Sequence, residues 1–142
     1  MKNIKQCLIY CGTREEKFNA ILHIFSAITI TSTIIFAYTK ASVKWIAEEL
    51  KKNGREVAVL HGDLPAEARL DYVRRFANSE FKVLITTNVA ARGLDIPQVA
   101  LVINYDPPVD HVKVKMGPVG NGRLGYADYD TYLQYAFYSI KI

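Results

Sequence analysis

The chain has 142 residues, 50% of them hydrophobic and 23% charged, with a formal net charge of +4. That composition is globular rather than disordered, and the length suits one compact domain. The longest apolar run, around Ala27 to Tyr38, is broken by Thr and Ser before it reaches membrane-spanning length, and two cysteines with three scattered histidines argue against a zinc site.

Gln6 to Cys11 (QCLIYC) reads as a short strand stopped by Gly12. Cys7 and Cys11 read as reduced thiols of an intracellular protein, and Met1 to Gln6 lacks the apolar core of a signal peptide. Thr13 is placed to cap a helix, with Glu16 three residues on completing a capping box; Phe18, Ile21, Leu22, Phe25 and Ile28 then recur at helical spacing. Thr33 to Ala37 (TIIFA) reads as a buried strand. A second helix, from about Ala41 to Asn53, carries the stripe Val43, Ile46, Ala47 and Leu50, and Gly54 closes it. Glu56 to Leu60 (EVAVL) is the next strand. Asp63 is the N-cap candidate for a third helix, with Pro65 in its first turn and Ala66, Leu70, Val73 and Ala77 on its packed face. Two more apolar runs, Val83 to Thr86 and Val99 to Ile103, have buried-strand length. Strands alternating with amphipathic helices predict an α/β fold: a mostly parallel sheet with helices on both faces.

After Pro107-Pro108 the character changes. Asp110 to Gly125 has little periodicity and four glycines, and Tyr126 to Tyr138 holds five tyrosines. The expected division is residues 1–108 as a domain and 109–142 as a divergent, irregular tail. The tail offers no helix to accompany a parallel strand.

Lys82 to Pro97 (KVLITTNVAARGLDIP) carries the densest chemistry. Thr86, Thr87 and Asn88 sit where a strand should end, and the small-residue turn Ala90-Ala91-Arg92-Gly93 leads to Asp95. In open parallel sheets ligands lie beyond the carboxyl ends of the strands. Hydroxyls, a glycine, an arginine and an aspartate there suit a ligand bearing phosphate and ribose. The mild basic excess permits such a ligand without demonstrating it. An unrelated doubly wound nucleotide-binding protein would need a glycine-rich phosphate loop after the first strand, which Cys11-Gly12-Thr13-Arg14 does not provide.

Four segments, TIIFAYTK (Thr33–Lys40), LHGDLPAEAR (Leu60–Arg69), VLITTNVAARGLDIPQV (Val83–Val99) and VINYDPP (Val102–Pro108), in this order and spacing resemble the second RecA-like domain of DEAD-box RNA helicases. The resemblance covers Ile4 to Pro108. The opening Ile4 to Ile30 and the TTNVAARG stretch look most similar to the branch that releases messenger RNA at the nuclear pore during export. The resemblance implies a RecA-like fold and an activity in which ATP hydrolysis drives RNA duplex unwinding and RNA–protein remodelling. It implies ATP as the nucleotide, with Mg held by the first domain. Single-stranded RNA, nuclear-pore proteins and an RNA-export activator are the implied partners, without membrane insertion. The implied location is the cytoplasm and nucleus, at the nuclear pore.

Residue by residue, the resemblance implies that Asp95 hydrogen-bonds the ATP ribose, that Gly93 lets the backbone approach the nucleotide, and that Arg92 joins the interdomain contact. It assigns Thr39, Gly62, Arg69 and Thr87 to RNA. Such groups grip the sugar-phosphate backbone, so binding should be sequence-independent and salt-sensitive. The alternatives are plain: Asp95 as organiser of the turn before Pro97, Gly93 as a turn glycine, Arg92 as a solvated cation, Thr39 and Thr87 as strand-end caps. His61 reads as a buried structural group and Phe36 as core.

The chain also departs from the family. Ala66 stands where a Gln is frequent, and Lys40 is followed by Ala41 where a second basic residue is usual; both weaken the expected RNA grip. Asp128 to Leu133 resembles the lead-in to the final helicase motif, but Gln134-Tyr135-Ala136-Phe137 replaces the His and the arginine pair that contacts the ATP phosphates. The last strand and helix are expected to be missing, leaving the fold incomplete at the C-terminus with an exposed sheet edge, which the tyrosine-rich tail is the candidate to cover. There is no Walker A sequence and no Asp-Glu-Ala-Asp run. The chain alone is therefore expected to be inactive as an ATPase and helicase. The alternative function is a non-enzymatic RNA- or partner-binding module acting as a competitor.

Overall fold

The computed structural model describes residues 5–29, 32–106 and 136–141. In chain order its elements are β1 (Lys5–Leu8), α1 (Arg14–Ala27), β2 (Thr33–Phe36), α2 (Lys40–Lys52), β3 (Val57–Leu60), α3 (Ala66–Ala77), β4 (Val83–Thr86), α4 (Asn88–Ala91), β5 (Val99–Asn104) and β6 (Ala136–Lys141). The strands form one sheet in the order β1-β6-β5-β2-β4-β3, and every pairing is parallel.

Every residue of β2, β3 and β4 is buried, because both faces of the sheet are covered. Successive side chains alternate between the faces. Ile35, Val59, Ile85 and Ile103 pack with Ile21 of α1 and Val43, Ile46 and Leu50 of α2. Ile34, Leu60, Leu84 and Val102 pack instead with Val73 and Phe76 of α3 and Ala90 of α4. Near-continuous apolar strands are what a parallel sheet buried on both sides requires. The α2 stripe falls where its 3.6-residue period places it, with Val43, Ile46, Ala47 and Leu50 all buried. Gly54 ends that helix at φ 79°, a left-handed conformation that spares glycine the Cβ penalty.

Three expectations need correcting. In the capping box, Thr13 Oγ1 accepts the Glu16 N–H at 3.1 Å, but the Glu16 carboxylate accepts from Gly12 N at 3.1 Å, one residue before the position expected. Asp63 does not cap α3. The N-cap is Pro65, without a side-chain hydrogen bond, and the Asp63 carboxylate lies 2.7 Å from Lys40 Nζ, which draws it away. The packed face of α3 is also rotated: Leu70 is 58% exposed, while Val73 and Phe76 are buried. Tyr72 meets Phe81 in a tilted ring contact, centroids 5.9 Å apart, so the larger aromatic rings, which remove more apolar area from water, set the helix orientation.

The tail brings the largest difference. β6 lies between β5 and β1, with Val99 level with Ala136, Asn104 with Lys141, and Lys5 with Tyr138. The expectation that the last strand is missing is therefore wrong. The run AFYSIK carries the β-branched and aromatic residues a strand favours, and both of its backbone edges are paired. The boundary at residue 108, the irregular stretch 110–125 and the motif lead-in 128–133 lie outside the described residues.

Cys7 and Cys11 are both unpaired thiols. Among the described residues there is no cluster of metal-ligating side chains and no helix long and apolar enough to cross a membrane.

Candidate nucleic-acid and nucleotide edge

Strand register sets the geometry. Phe36 is level with Thr86 on one side and Asn104 on the other, and Leu60 is level with Thr86. The carboxyl ends of β5, β2, β4 and β3 therefore stop on one line. Bonds from Ala37 N to Thr86 O (3.0 Å) and from Tyr105 N to Phe36 O (2.8 Å) carry the ladder one residue further. The loops that leave this line hold Asp106, Thr39, Thr87 and Gly62 in strand order. At the usual interstrand spacing the row is about 14 Å long. Asp106 braces one end: its carboxylate accepts from Tyr38 N at 2.8 Å and from Lys17 Nζ at 3.3 Å. Sequence reading quoted Asp106 within VINYDPP without giving it this role. The signal was a carboxylate two residues beyond a strand end.

Thr39 and Thr87 act as helix caps. Thr39 Oγ1 accepts the Ser42 N–H and Thr87 Oγ1 the Ala90 N–H, each at 3.1 Å. A hydroxyl that accepts one bond still has a proton to donate. Thr39 gives its proton to Ser42 Oγ at 3.1 Å. Capping orients both hydroxyls at the row; Thr87 keeps its proton for a phosphate oxygen, whereas Thr39 must first release Ser42 Oγ to offer one. Gly62 is exposed, lies outside the left-handed region, and a Cβ built on it meets nothing within 4 Å. Arg69 sits in the first turn of α3, and its Nε is buried with no hydrogen-bond partner among the described residues. A buried N–H of a cation left unpaired is costly, and an anion brought to this point would relieve it.

The nucleotide-type residues follow Thr87 directly. α4 is a single turn, and Gly93 at φ 77° reverses the chain after it. The reversal is held by backbone bonds from Leu94 N to Ala91 O (3.3 Å) and Ile96 N to Leu94 O (3.0 Å), and by the buried Ile96 side chain. The exposed carboxylate of Asp95 makes no hydrogen bond or ion pair with the described residues. An exposed, uncommitted carboxylate beside a glycine turn fits a pair of ribose hydroxyls. Arg92 is also exposed, on the same turn.

His61 lies beneath the row, 7% exposed, and its Nδ1 accepts from Asp63 N at 3.3 Å. Burial, and then the Lys44 charge, hold its imidazole below the ordinary value. It is buried, as its sequence setting suggested. Asp63 is held below the ordinary carboxylate value by its hydrogen bond to Lys40. The Lys40–Asp63 pair was not legible in the sequence, since its members are far apart in the chain.

Residues 16–135 match the family described as helicase conserved C-terminal domain. The ATP-dependent RNA helicase DDX19A of Homo sapiens is 46% identical over 110 residues, which are 78% of this chain and 23% of that protein. The DEAD-box helicase Dbp80 of Drosophila melanogaster is 42% identical over 133 residues, 94% of this chain and 26% of Dbp80. The chain thus spans about a quarter of the length of these relatives. Among solved structures, the C-terminal domain of the DEAD-box protein Dbp5 superposes with a TM-score of 0.83 at 35% identity, over 98% of this chain and 76% of that one. S. cerevisiae Dbp5 bound to RNA and ADP BeF3 gives a TM-score of 0.82 at 35% identity, over 99% of this chain and 35% of that one. With its parallel sheet and the four motif segments on one edge, the chain belongs to the helicase conserved C-terminal domain family, as a second RecA-like domain of the DEAD-box type.

Proposed function

We propose that this domain is the RNA- and nucleotide-gripping half of an ATP-dependent DEAD-box RNA helicase acting in messenger-RNA export. The observation that carries the reading is the level row of strand ends, which brings Thr39, Thr87 and Gly62 to one edge. Thr39 and Thr87 hydroxyls, the Gly62 backbone and the Arg69 guanidinium hold phosphate oxygens of a single RNA strand. Asp95 accepts the ribose hydroxyls of ATP, Gly93 allows close backbone approach, and Arg92 meets the first domain on closure. ATP, when bound between the two domains with Mg held by the first, supplies the free energy of phosphate hydrolysis. The chain's own contribution is coupling. Thr87 caps α4, and α4 leads straight into Arg92, Gly93 and Asp95, so a shift of Thr87 toward RNA moves the nucleotide turn with it.

Alone, the chain does not hydrolyse ATP or unwind RNA, because the Walker A and Asp-Glu-Ala-Asp sequences and the final arginine pair are absent from it. Loss of such an arginine costs orders of magnitude in phosphoryl transfer. A variant of S. cerevisiae Dbp5 has been solved bound to Nup159, Gle1, IP6 and ADP. By similarity, nuclear-pore proteins and an RNA-export activator are the proposed partners, and the nuclear pore the proposed location.

The test is titration of fluorescein-labelled oligo-uridylate and oligo-adenylate with the purified chain across a salt series. Comparable binding of both, falling steeply with salt, is expected. Absence of binding at low salt refutes the RNA reading, and RNA-stimulated phosphate release by the chain refutes its inactivity. The second reading is a competitor module, in which the row of strand ends binds RNA without nucleotide turnover. It predicts that the added chain slows an intact DEAD-box helicase at limiting RNA.

A further inference from the structure

We propose that the Lys40–Asp63 ion pair is a latch across the RNA-facing edge, in which the Asp63 carboxylate holds the cation that an RNA phosphate would otherwise take. The proposal rests on the RNA reading above. Lys40 opens α2 after β2, and Asp63 follows β3, yet β2 and β3 are not neighbours: β4 lies between them. Their 2.7 Å contact therefore crosses the end of β4, where the chain continues into Thr87. Thr87 is only 9% exposed.

No structural duty explains where Asp63 points. It does not cap α3, whose N-cap Pro65 makes no side-chain bond, and its backbone N–H rather than its carboxylate ties the loop to His61. The pair is also built to open. Its side chains are 48% and 58% exposed, so water screens it and the carboxylate can swing away without moving the loop. A carboxylate and a phosphate present similar anionic oxygens to an ammonium group. RNA has the advantage of many linked phosphates, each releasing counterions as it is neutralised. A continuous strand can therefore displace Asp63 where a lone phosphate cannot. The latch acts as a threshold favouring RNA over isolated anions.

The test uses the full chain and fluorescein-labelled oligo-uridylate, comparing wild type with Asp63→Asn, Lys40→Gln, the double variant and Glu67→Gln. Glu67 lies in the first turn of α3 and has no ion-pair partner among the described residues, so its variant reports the effect of removing one nearby negative charge. Thermal unfolding checks that each variant is folded. Asp63→Asn is expected to tighten binding about two- to five-fold, more than Glu67→Gln does, and to lose that gain in the Lys40→Gln background. If the gain persists without Lys40, matches that of Glu67→Gln, or is absent while RNA still binds, the latch is wrong and the RNA reading stands. If neither wild type nor any variant binds RNA at low salt, the RNA reading fails and the latch falls with it.

Discussion

Gly62→Ala separates folding from RNA contact at a single atom. The backbone at Gly62 lies outside the left-handed region, and a Cβ there meets nothing within 4 Å. The folded state therefore accepts alanine without strain, while the unfolded chain loses conformational freedom. Such a change stabilises a protein by about 0.4–1 kcal/mol, or roughly 1–3 °C in Tm for a domain of this size. The new methyl projects into open space at the row of strand ends. If a phosphate oxygen sits against the Gly62 backbone N–H, the methyl holds it off, and a lost hydrogen bond to a charged group costs about 1.5 kcal/mol, close to ten-fold in Kd. The assays are thermal unfolding and fluorescence anisotropy with labelled oligo-uridylate. A Tm that is unchanged or raised, with RNA binding weakened about ten-fold, is the expected pair of results. A folded variant with undiminished RNA affinity refutes the role of Gly62, and a drop of several degrees refutes the packing argument.

Other positions give equally direct outcomes. Gly93→Ala should cost about 1–2 kcal/mol in urea denaturation, because alanine must adopt φ 77° there although nothing crowds it. Phe76→Ala should cost about 3–5 kcal/mol and Leu70→Ala less than about 0.5, a contrast that urea midpoints will show and that the opposite α3 orientation would reverse. Thr13→Ala should remove about 1 kcal/mol by losing the bond to Glu16 N, with faster amide exchange in the first turn of α1. His61 is held below its ordinary value of 6.5 in the folded state, which disfavours the charged ring. Its contribution to stability is thus complete above pH 6.5 and is lost as the pH falls below it. His61→Gln should flatten the stability profile in that acidic range, and an unaltered profile would show that other groups govern it.

The fold could be read from the sequence where periodicity and burial coincide. Val43, Ile46, Ala47 and Leu50 repeat at helical spacing and all four are buried; Val83 to Thr86 is largely apolar and forms a fully buried strand flanked by β2 and β3. Reading failed where two local patterns competed. On α3, Leu70 belongs to one candidate stripe and Phe76 to another, and only tertiary packing of Phe76 and Tyr72 decides between them. It failed also where the partner is remote. Nothing near Asp63 points to Lys40, and nothing near Ala136 points to β1. The candidate site was legible as motifs, but its coherence came from the register that levels the strand ends, a property of paired strands rather than of any one segment.

The position of β6 has a kinetic consequence. Among the described residues, β1 has no strand neighbour except β6, so Lys5–Leu8 is held by a strand that lies far along the sequence, Ala136–Lys141. Closing so long a loop is entropically slow, and β1 can join the sheet only after β6 has docked on β5. During synthesis β1 must wait until Ala136–Lys141 has emerged. A proteolytic nick just before Ala136 would then loosen Lys5 to Leu8, while the four-stranded block that carries the row of strand ends stays paired.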